Sequence, residues 1–517
     1  MTRSLPAARP GARNSRTRTP CAPWSQASVR WSAATTEGHG GQIWSWTIAT
    51  AEMPVLPVIL PLGLSFLASA LGEGKARGTL LGALAALASL GSLVSSAAML
   101  LNPRPYHLGG WPSELGIALA GDELAATSIA LFSAVWGSSF ACALARGQAS
   151  GKRGSLSLLL LAAINGAVLT ADLFNLYVFL ELISISACAL VANEEDPGSF
   201  EAAFRYLIFS FVAGSAFLLG VLLLFSHSGT LNLAVLRDRL GEVPKGALEL
   251  SFALMALGLF VKSGLFPGHL WLLEAHPRAQ GPVSSVLSAL VVWAPAAASA
   301  RLFHLPGLEI PSTRAVATAL ALLSVGLGHA LALREANFKR MLAASTTASM
   351  GMVYLLTLHA GETAAALFAA GHALYKGPLF LLSGPIKEAA GPGIRGLRGI
   401  RPASATLWLA VAISLASALG LPPFLSFWAK AFPLLEPGIG PLAPISLLAS
   451  AALSLPYLIG ALRSALSGKG GSWSRPKLEE SSALLMALLS LLLGTLLLLG
   501  PGPLRLDSAR ILEAMSR

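Results

Sequence analysis

The sequence predicts an all-α polytopic membrane protein, on the strength of its composition, its hydropathy and the length of its apolar runs. Of its 517 residues, 54% are hydrophobic and 12% are charged, against about 25% charged residues in a typical soluble domain. The mean hydropathy is +0.67. About fourteen apolar runs approach the roughly 20 residues that a helix needs to cross a bilayer. These features exclude a soluble enzyme, a disordered chain and a secreted disulfide scaffold.

The first 52 residues differ from the rest of the chain. They are rich in Arg, Ser, Thr, Gly and Trp and contain no apolar run long enough to span a bilayer or to act as a signal peptide. We expect residues 1–52 to be a non-native or disordered leader and Met53 to be the native start. An Arg-rich transit peptide is the alternative interpretation.

The apolar runs, numbered as segments 1 to 14, define the expected topology. Their predicted positions are 54–71, 79–101, 116–143, 155–171, 174–192, 203–225, 250–267, 282–303, 313–333, 341–358, 363–385, 405–432, 442–464 and 482–500. The connections after odd-numbered segments hold seventeen Lys and Arg residues, whereas those after even-numbered segments, with the C-terminus, hold nine. Because basic residues concentrate in cytoplasmic loops, we expect a multi-pass protein of the cell (inner) membrane with both termini outside.

Two segments are interrupted in a similar way. Segment 7 contains Pro267 shortly after Lys262, and segment 12 contains Pro423 shortly before Lys430. Paired broken helices at matching places in two halves indicate an inverted repeat with an ion site near mid-membrane. Proline kinks also occur in inert membrane helices, but here each coincides with an embedded lysine. We therefore expect broken helices at segments 7 and 12.

Ionisable residues inside the apolar runs are the candidate proton-translocation site. They are Glu181, Lys262, His372, Lys376 and Lys430. A charge at the bilayer centre costs about 2.5–3.5 kcal/mol on insertion scales, so such residues usually face a protein interior or a hydrated cavity. Burial favours the neutral forms of lysine and glutamate, which suits a proton wire. The alternatives are a structural ion pair, a lysine that reaches the interface and, for His372, an ordinary hydrogen-bonded histidine.

At these residues the chain resembles the antiporter-like membrane subunits of respiratory complex I and of membrane-bound hydrogenases, and the D-type subunit of Mrp cation/proton antiporters. The matching motifs run from about Met53 to the C-terminus, and their order and spacing make the resemblance specific. They are Gly110-Trp-Pro with Asp122-Glu-Leu, Asp172-Leu-Phe-Asn-Leu-Tyr-Val-Phe-Leu-Glu181-Leu, Glu201-Ala-Ala-Phe-Arg205-Tyr, Lys262-Ser-Gly-Leu-Phe-Pro267-Gly-His269, Gly281-Pro-Val-Ser-Ser, Asn337-Phe-Lys-Arg, Gly371-His372-Ala-Leu-Tyr-Lys376 and Gly420-Leu-Pro-Pro423-Phe-Leu-Ser-Phe-Trp-Ala-Lys430.

The resemblance implies about fourteen helices, with inverted five-helix repeats over segments 4–8 and 9–13. It divides the chain into three N-terminal helices, two repeats, and a last helix with a tail, at residues 53–145, 146–303, 304–465 and 466–517. It also implies that Glu181, Lys262 and Lys430 are the family's glutamate of segment 5 and lysines of segments 7 and 12. His372 and Lys376 fall on the polar stretch that links the two halves.

Further motif residues are expected to support the site rather than to carry protons. Asp122 and Arg205 lie near segment ends, where structural or interfacial roles are expected, and Pro267, His269 and Pro423 lie in the interrupted motifs. Arg205 stands where the family commonly has lysine, and arginine does not release its proton.

One departure from the family bears on conduction. The family usually has Lys or His in segment 8, and the corresponding residue here is Trp293, which cannot carry a proton. The central link of the wire is therefore expected either to rely on water or to be broken.

The first functional hypothesis is a proton-translocating subunit, with Na⁺ as a further candidate ion, of an Mrp-type antiporter or a respiratory NADH:quinone oxidoreductase or hydrogenase complex. Chain length and the Gly110-Trp-Pro region slightly favour the antiporter or a hydrogenase relative. We expect no cofactor or metal in this chain, because it has no Cys-x-x-Cys, G-x-G-x-x-G or Walker motif and its three cysteines show no metal or redox spacing. Redox or exchange chemistry would then come from other membrane subunits. The alternatives are a non-conducting anchoring paralogue, suggested by Trp293, and a stand-alone transporter.

Overall fold

The computed structural model describes residues 53–71, 76–149, 151–398, 400, 404–435, 438–467 and 477–499. The predicted leader at 1–52 lies outside these residues, as does the tail after residue 499. Within the described part the chain is predominantly helical, which confirms the predicted all-α class.

The helices follow the predicted segments closely. In chain order they are α1 (Leu56–Ala70), α2 (Ala76–Leu101), α3 (Glu123–Ala145), α4 (Gly151–Leu169), α5 (Leu173–Val191), α6 (Gly198–Ser228), α7 (Leu233–Arg239), α8 (Lys245–Lys262), α9 (Leu270–Arg278), α10 (Gly281–Val286), α11 (Trp293–Phe303), α12 (Pro311–Arg334), α13 (Phe338–Ala360), α14 (Glu362–Ala390), α15 (Ala405–Leu419), α16 (Leu425–Leu435), α17 (Leu442–Leu466) and α18 (Lys477–Leu499). A π-helical turn, Leu287–Val291, joins α10 to α11.

Over the described residues, twelve helical spans are long and apolar enough to cross a membrane. The most apolar stretch of Gly198–Ser228 is 39% buried inside the protein, whereas in Gly281–Phe303 and Phe338–Ala360 the buried share is 94%. The core therefore sits around α10, α11 and α13. The outer helices present large apolar side chains on their free faces, as expected for a surface in contact with membrane.

Segments 7 and 12 are interrupted, as the sequence predicts. Helix α8 ends at Lys262, the chain turns through Gly264 with φ of +74°, and α9 begins after Pro267. Helix α15 stops before Gly420, where φ is +78°, and α16 begins after Pro423. Glycine tolerates positive φ and proline has no N–H to continue a helix, which explains both breaks. The count of fourteen crossings and the inverted repeats remain predictions.

The chain between segments 2 and 3 forms a short β-hairpin that the hydropathy pattern does not predict. Strand β1 (Arg104–His107) pairs antiparallel with strand β2 (Ala118–Gly121). Helix α3 starts only after the hairpin, with Asp122 as its N-cap: the carboxylate accepts a hydrogen bond of 2.7 Å from the Ala125 N–H. The expected start of segment 3 at residue 116 is therefore too early, because apolar residues of the second strand extend the run.

Candidate functional site

Glu181 and Lys262 form an ion pair. Lys262 Nζ lies 3.1 Å from Glu181 Oε1, and the lysine side chain is 4% exposed. The same amine donates hydrogen bonds to Ser184 Oγ at 2.7 Å and to the Leu180 carbonyl at 3.4 Å. Because the break in segment 7 makes Lys262 the last residue of α8, its positive charge also lies at a helix C-terminus, where a cation is favoured. The structure thus places an amine and a carboxylate in contact inside the protein.

Glu181 opens on one side to the outer surface of α5. Its side chain is 24% exposed. Phe174, Val178 and Ile185 are 47%, 43% and 55% exposed, and their spacing puts them on the helix face that also carries Glu181. The carboxylate therefore lies between a buried lysine and an otherwise apolar outer stripe.

Gly214 on α6 provides the space that this carboxylate occupies. A Cβ atom at residue 214 would overlap Glu181 Oε1. Any larger residue there must displace the carboxylate, so Gly214 determines where Glu181 sits relative to Lys262.

His372 is held in α14 by two neutral oxygen atoms. It is 1% exposed. Its Nε2 lies 3.2 Å from the carbonyl oxygen of Ser288, and its Nδ1 lies 3.3 Å from the Tyr375 hydroxyl. The imidazole therefore bridges the π-helical turn and a tyrosine on its own helix. This arrangement is compatible both with a structural, fully hydrogen-bonded histidine and with a proton relay.

Lys376 and Lys430 line one cavity of about 30 Å³, which is large enough for a water molecule. Lys376 is 2% exposed and donates to the Leu342 carbonyl at 2.6 Å and to the Ser345 hydroxyl. Lys430 donates to the Ala418 carbonyl at 3.1 Å. The two lysines come from separate helices, α14 and α16, and the cavity is what brings them together.

A third base, His329 of α12, lines the same cavity. Its Nδ1 lies 3.1 Å from the Tyr457 hydroxyl and its Nε2 lies 2.8 Å from Ser450 Oγ. The candidate residues from sequence do not include this histidine, although it lies within an apolar run as His372 does. The criterion that selected His372, an ionisable residue inside an apolar run, also selects His329.

Trp293 stands where the family usually has a base. It is 3% exposed, and its indole N–H donates to Ser128 Oγ at 3.2 Å. It closely follows the π-helical turn, where Ser288 and Thr346 share a hydrogen bond of 2.9 Å between their hydroxyls. π-helical turns are frequent at functional sites. The polar group that contacts Trp293 is the Ser128 hydroxyl, whereas the turn is contacted by the Thr346 hydroxyl and by the His372 imidazole.

Asp122 pairs with Arg301, a residue that the predicted topology places in a loop. Its carboxylate lies 2.7 Å from Arg301 Nη2, and the two side chains are 2% and 3% exposed. Burial raises the pKa of the Asp122 carboxyl, and the Arg301 guanidinium opposes that rise. Arg301, assigned from sequence to the loop after segment 8, lies in the last turn of α11. The pair connects the start of α3 to the end of α11.

The remaining supporting residues lie around the helix ends. Arg205 is 50% exposed and pairs with Glu201 and Glu274 at 2.6 Å each, so it belongs to the surface. His269 is 6% exposed and precedes α9. Pro267 and Pro423 lie in the two helix breaks.

Two further buried bases are missing from the candidates that the sequence suggests. Lys339 is 6% exposed and His276 is fully buried. The sequence pattern assigns Lys339, like Arg340, to the loop after segment 9, because it lies between the predicted segments 313–333 and 341–358. Only the rotation of α13, which depends on packing, decides which of the two basic side chains points inward.

The described residues contain no group of three or more His, Cys, Asp and Glu side chains that could hold a metal ion. Cys142 and Cys188 are buried free thiols. That this chain carries no cofactor remains a prediction.

Two relatives show what the chain is similar to. The N subunit of the NADH-quinone oxidoreductase of Desulforudis audaxviator is 34% identical over 404 residues, which are 74% of this chain and 79% of that protein. The D-type subunit of the Na⁺/H⁺ antiporter of Alkalihalophilus pseudofirmus is 29% identical over 343 residues, 63% of this chain and 68% of that protein.

Structural similarity and a family match agree with these relatives. A chain of the membrane-bound sulfane sulfur reductase, an archaeal respiratory membrane complex, has a TM-score of 0.79 and 26% identity, covering 90% of this chain and 99% of that one. Residues 170–437, more than half of the chain, match the family described as NADH:quinone oxidoreductase/Mrp antiporter, TM. The chain therefore belongs to the NADH:quinone oxidoreductase/Mrp antiporter family of transmembrane proteins.

Proposed function

We propose that the chain is a proton-translocating membrane subunit of a multisubunit complex, and that Glu181, Lys262, His372, Lys376 and Lys430 carry the proton. The contact of 3.1 Å between Lys262 and Glu181 is the observation that carries this proposal. An amine and a carboxylate held together away from water can each take up or release a proton when a nearby charge changes. Na⁺ is the further candidate ion.

The pair acts as a loading site. While Glu181 is ionised, its charge stabilises the ammonium form of Lys262. When Glu181 is neutralised, by a proton or by an approaching cation, that stabilisation falls and the lysine releases its proton. Ser184 positions the amine for this exchange, because its hydroxyl accepts a hydrogen bond of 2.7 Å from Lys262. Lys376 and Lys430 then receive the proton around their shared cavity.

The energy source lies in other subunits. One relative is named as part of a NADH-quinone oxidoreductase and another as part of a Na⁺/H⁺ antiporter, and a structural neighbour belongs to a respiratory complex. Each name refers to a subunit or a complex, which supports other membrane subunits as partners. In this proposal the chain carries no redox centre of its own, and its ionisable residues respond to charge movements in those partners.

The non-conducting alternative rests on Trp293. Its indole is buried and hydrogen-bonded to Ser128, as a purely structural residue would be. In that case the chain anchors its neighbours, and the ion pair of Glu181 and Lys262 serves only to hold α5 against α8.

We infer that the chain lies in the cell (inner) membrane with both termini outside, from the distribution of basic residues. Three N-terminal helices at 53–145 precede two five-helix units at 146–303 and 304–465, and 466–517 contains the last helix. The correspondence of helix breaks at Pro267 and Pro423 supports the paired units.

The test is proton flux in proteoliposomes that contain the assembled complex. Glu181→Gln and Lys262→Ala are each expected to lower flux roughly a hundredfold, the lower end of what a positioned proton donor contributes. Glu195→Gln and Lys152→Gln, which alter exposed charges, serve as matched controls and keep wild-type flux. Wild-type flux in both site variants, with assembly intact, would establish the anchoring role instead. Flux in vesicles that hold this chain alone would identify a stand-alone transporter.

A further inference from the structure

The last helix, α18, packs along the interrupted segment 12, although it lies outside the two five-helix units proposed above. It contacts both halves of that segment, α15 and α16, and also α3 and α14. One face of α18 is buried and consists of small residues, Ala483, Ala487, Ser490 and Gly494. Small residues let two backbones approach closely in a membrane protein, so α18 can come nearer to the break than a helix with larger side chains on this face.

Gly494 meets the backbone where α16 begins. A Cβ atom at residue 494 would overlap the carbonyl oxygen of Pro423 and would lie 2.6 Å from the backbone nitrogen of Leu425. Because these are backbone atoms, no side-chain rotation can relieve the overlap, and either α16 or α18 would have to move. Gly494 therefore determines how closely α18 supports the first turn of α16.

Three hydroxyl groups join α15, α16 and α18 beside the break. The Ser417 hydroxyl lies 3.0 Å from that of Ser426 and 3.2 Å from that of Ser490. Ser417 and Ser490 are fully buried and Ser426 is 3% exposed, so bulk water does not compete for these hydrogen bonds. On α14, a Cβ at Gly371 would lie 3.1 Å from the Cα of Ser426. The first turn of α16 is thus held by close contacts with both α14 and α18.

Lys430 lies one turn beyond Ser426 on α16. Its amine donates a hydrogen bond of 3.1 Å to the carbonyl of Ala418, the residue that follows Ser417 on α15. Two neighbouring contacts therefore cross the break, one between serine hydroxyls and one made by the lysine. Residues four apart lie on the same face of a helix, so a shift of α16 relative to α15 would change both contacts.

The start of α18 is anchored separately, by two carboxylates. Glu479 and Glu480 are 3% and 5% exposed. Glu479 pairs with Arg146 at the end of α3, and Arg146 also pairs with Glu388 of α14 at 2.6 Å. Glu480 accepts a hydrogen bond of 2.7 Å from Ser404, the N-cap of α15. Negative charge is favoured at a helix N-terminus, so α18 is fixed at this end as well as beside the break.

We propose that α18 is a positioning helix for proton transfer, and that Gly494 and Ser490 hold the two halves of segment 12 at the spacing that Lys430 requires. This inference rests on the proposed function, in which Lys430 carries the proton. Neither residue handles the proton itself, since Gly494 has no side chain and the Ser490 hydroxyl bonds to that of Ser417. Both act by fixing α16, and with it the Lys430 amine in the cavity shared with Lys376.

Gly494→Ala tests the close approach. The added methyl group should displace α16 and lower proton flux in proteoliposomes of the assembled complex about tenfold, as for a modest misplacement of a reacting group. Gly460→Ala in α17 is the matched control, because a Cβ there has nothing within 4 Å and both substitutions gain the same helix propensity. The control should keep wild-type flux. Wild-type flux in an assembled Gly494→Ala variant would overturn the proposal.

Lys430→Gln distinguishes positioning from a general structural defect. Alone, it should lower flux roughly a hundredfold. If Gly494 acts through Lys430, adding Gly494→Ala to this variant lowers flux no further, because residues that act together are not additive. A further tenfold fall in the double variant would contradict the positioning role and leave the proposed function intact. Wild-type flux in Lys430→Gln itself would remove this lysine from the proposed function and overturn the inference with it.

Ser490→Ala gives the test if Gly494→Ala does not assemble. It removes one hydrogen bond without adding bulk, so flux should fall about fivefold, as for one neutral hydrogen bond, and this loss should vanish in the Lys430→Gln background. Ser133→Ala is the control, since the buried Ser133 hydroxyl donates to the Ile129 carbonyl of its own helix. Equal flux in the two serine variants would show that α18 does not position the lysine.

Discussion

The ion pair of Asp122 and Arg301 differs from that of Glu181 and Lys262 in its cation and in its surroundings. Asp122 and Arg301 are enclosed, with side chains 2% and 3% exposed, and lie 2.7 Å apart. Glu181 and Lys262 lie 3.1 Å apart, and the carboxylate is 24% exposed. Arginine keeps its proton under all ordinary conditions, whereas a buried lysine can lose it. The comparison separates a pair that can only hold helices together from a pair that can also exchange protons.

The largest expected effect comes from leaving one charge of the enclosed pair alone. Arg301→Met strands Asp122 in the interior and should lower the free energy of unfolding by about 3–5 kcal/mol. Asp122→Asn with Arg301→Met should regain most of that stability, since asparagine can still cap α3. The thermal midpoint of the detergent-purified complex measures both. Equal midpoints for the single and double variants would show that the pair is not a structural clamp.

Replacing the lysine of the Glu181–Lys262 pair by arginine should separate the effect on stability from the effect on proton transport. Lys262→Arg keeps a positive charge beside Glu181, so assembly and thermal midpoint should stay close to wild type. Proton flux should fall roughly a hundredfold, because the guanidinium does not release a proton. Normal flux in this variant would mean that Lys262 acts only through its charge.

The smallest of the three effects comes from moving Glu181 without replacing it. Gly214→Ala puts a methyl group where Oε1 of Glu181 now lies, and the glutamate side chain can rotate to relieve the clash. We expect flux to fall about tenfold, as for a modest misplacement of a reacting group. Gly63→Ala is the control, since a Cβ there has nothing within 4 Å. Equal flux in the two variants would show that the carboxylate needs no fixed position.

The membrane class and the helix breaks could be predicted from sequence because they depend on local properties. A long apolar run predicts a span wherever it occurs, and Pro267 and Pro423 interrupt helices through their own chemistry. The same logic identifies Lys262 and Lys376, whose charges stand out in apolar surroundings. Their burial in the structure, at 5% and 2% exposure, agrees with that expectation.

The partners of these residues could not be predicted in the same way. Arg301 and Lys339 lie at the ends of runs, where a basic residue is typical of a loop, and their burial depends on how neighbouring helices pack. The cavity shared by Lys376 and Lys430 joins helices that are distant in sequence. The hairpin of β1 and β2 is not predicted by hydropathy because its second strand is apolar and is separated from the apolar part of α3 by only Asp122 and Glu123.

The open side of Glu181 bears on how the chain joins its neighbours. The residue lies about midway along α5, and a lone copy of the protein would hold this carboxylate against acyl chains, where a charge costs about 2.5–3.5 kcal/mol. An adjacent subunit that covers the stripe of Phe174, Val178 and Ile185 would remove that penalty. The side chain that we propose exchanges protons would then also favour docking, and an unassembled copy would be the less stable of the two states.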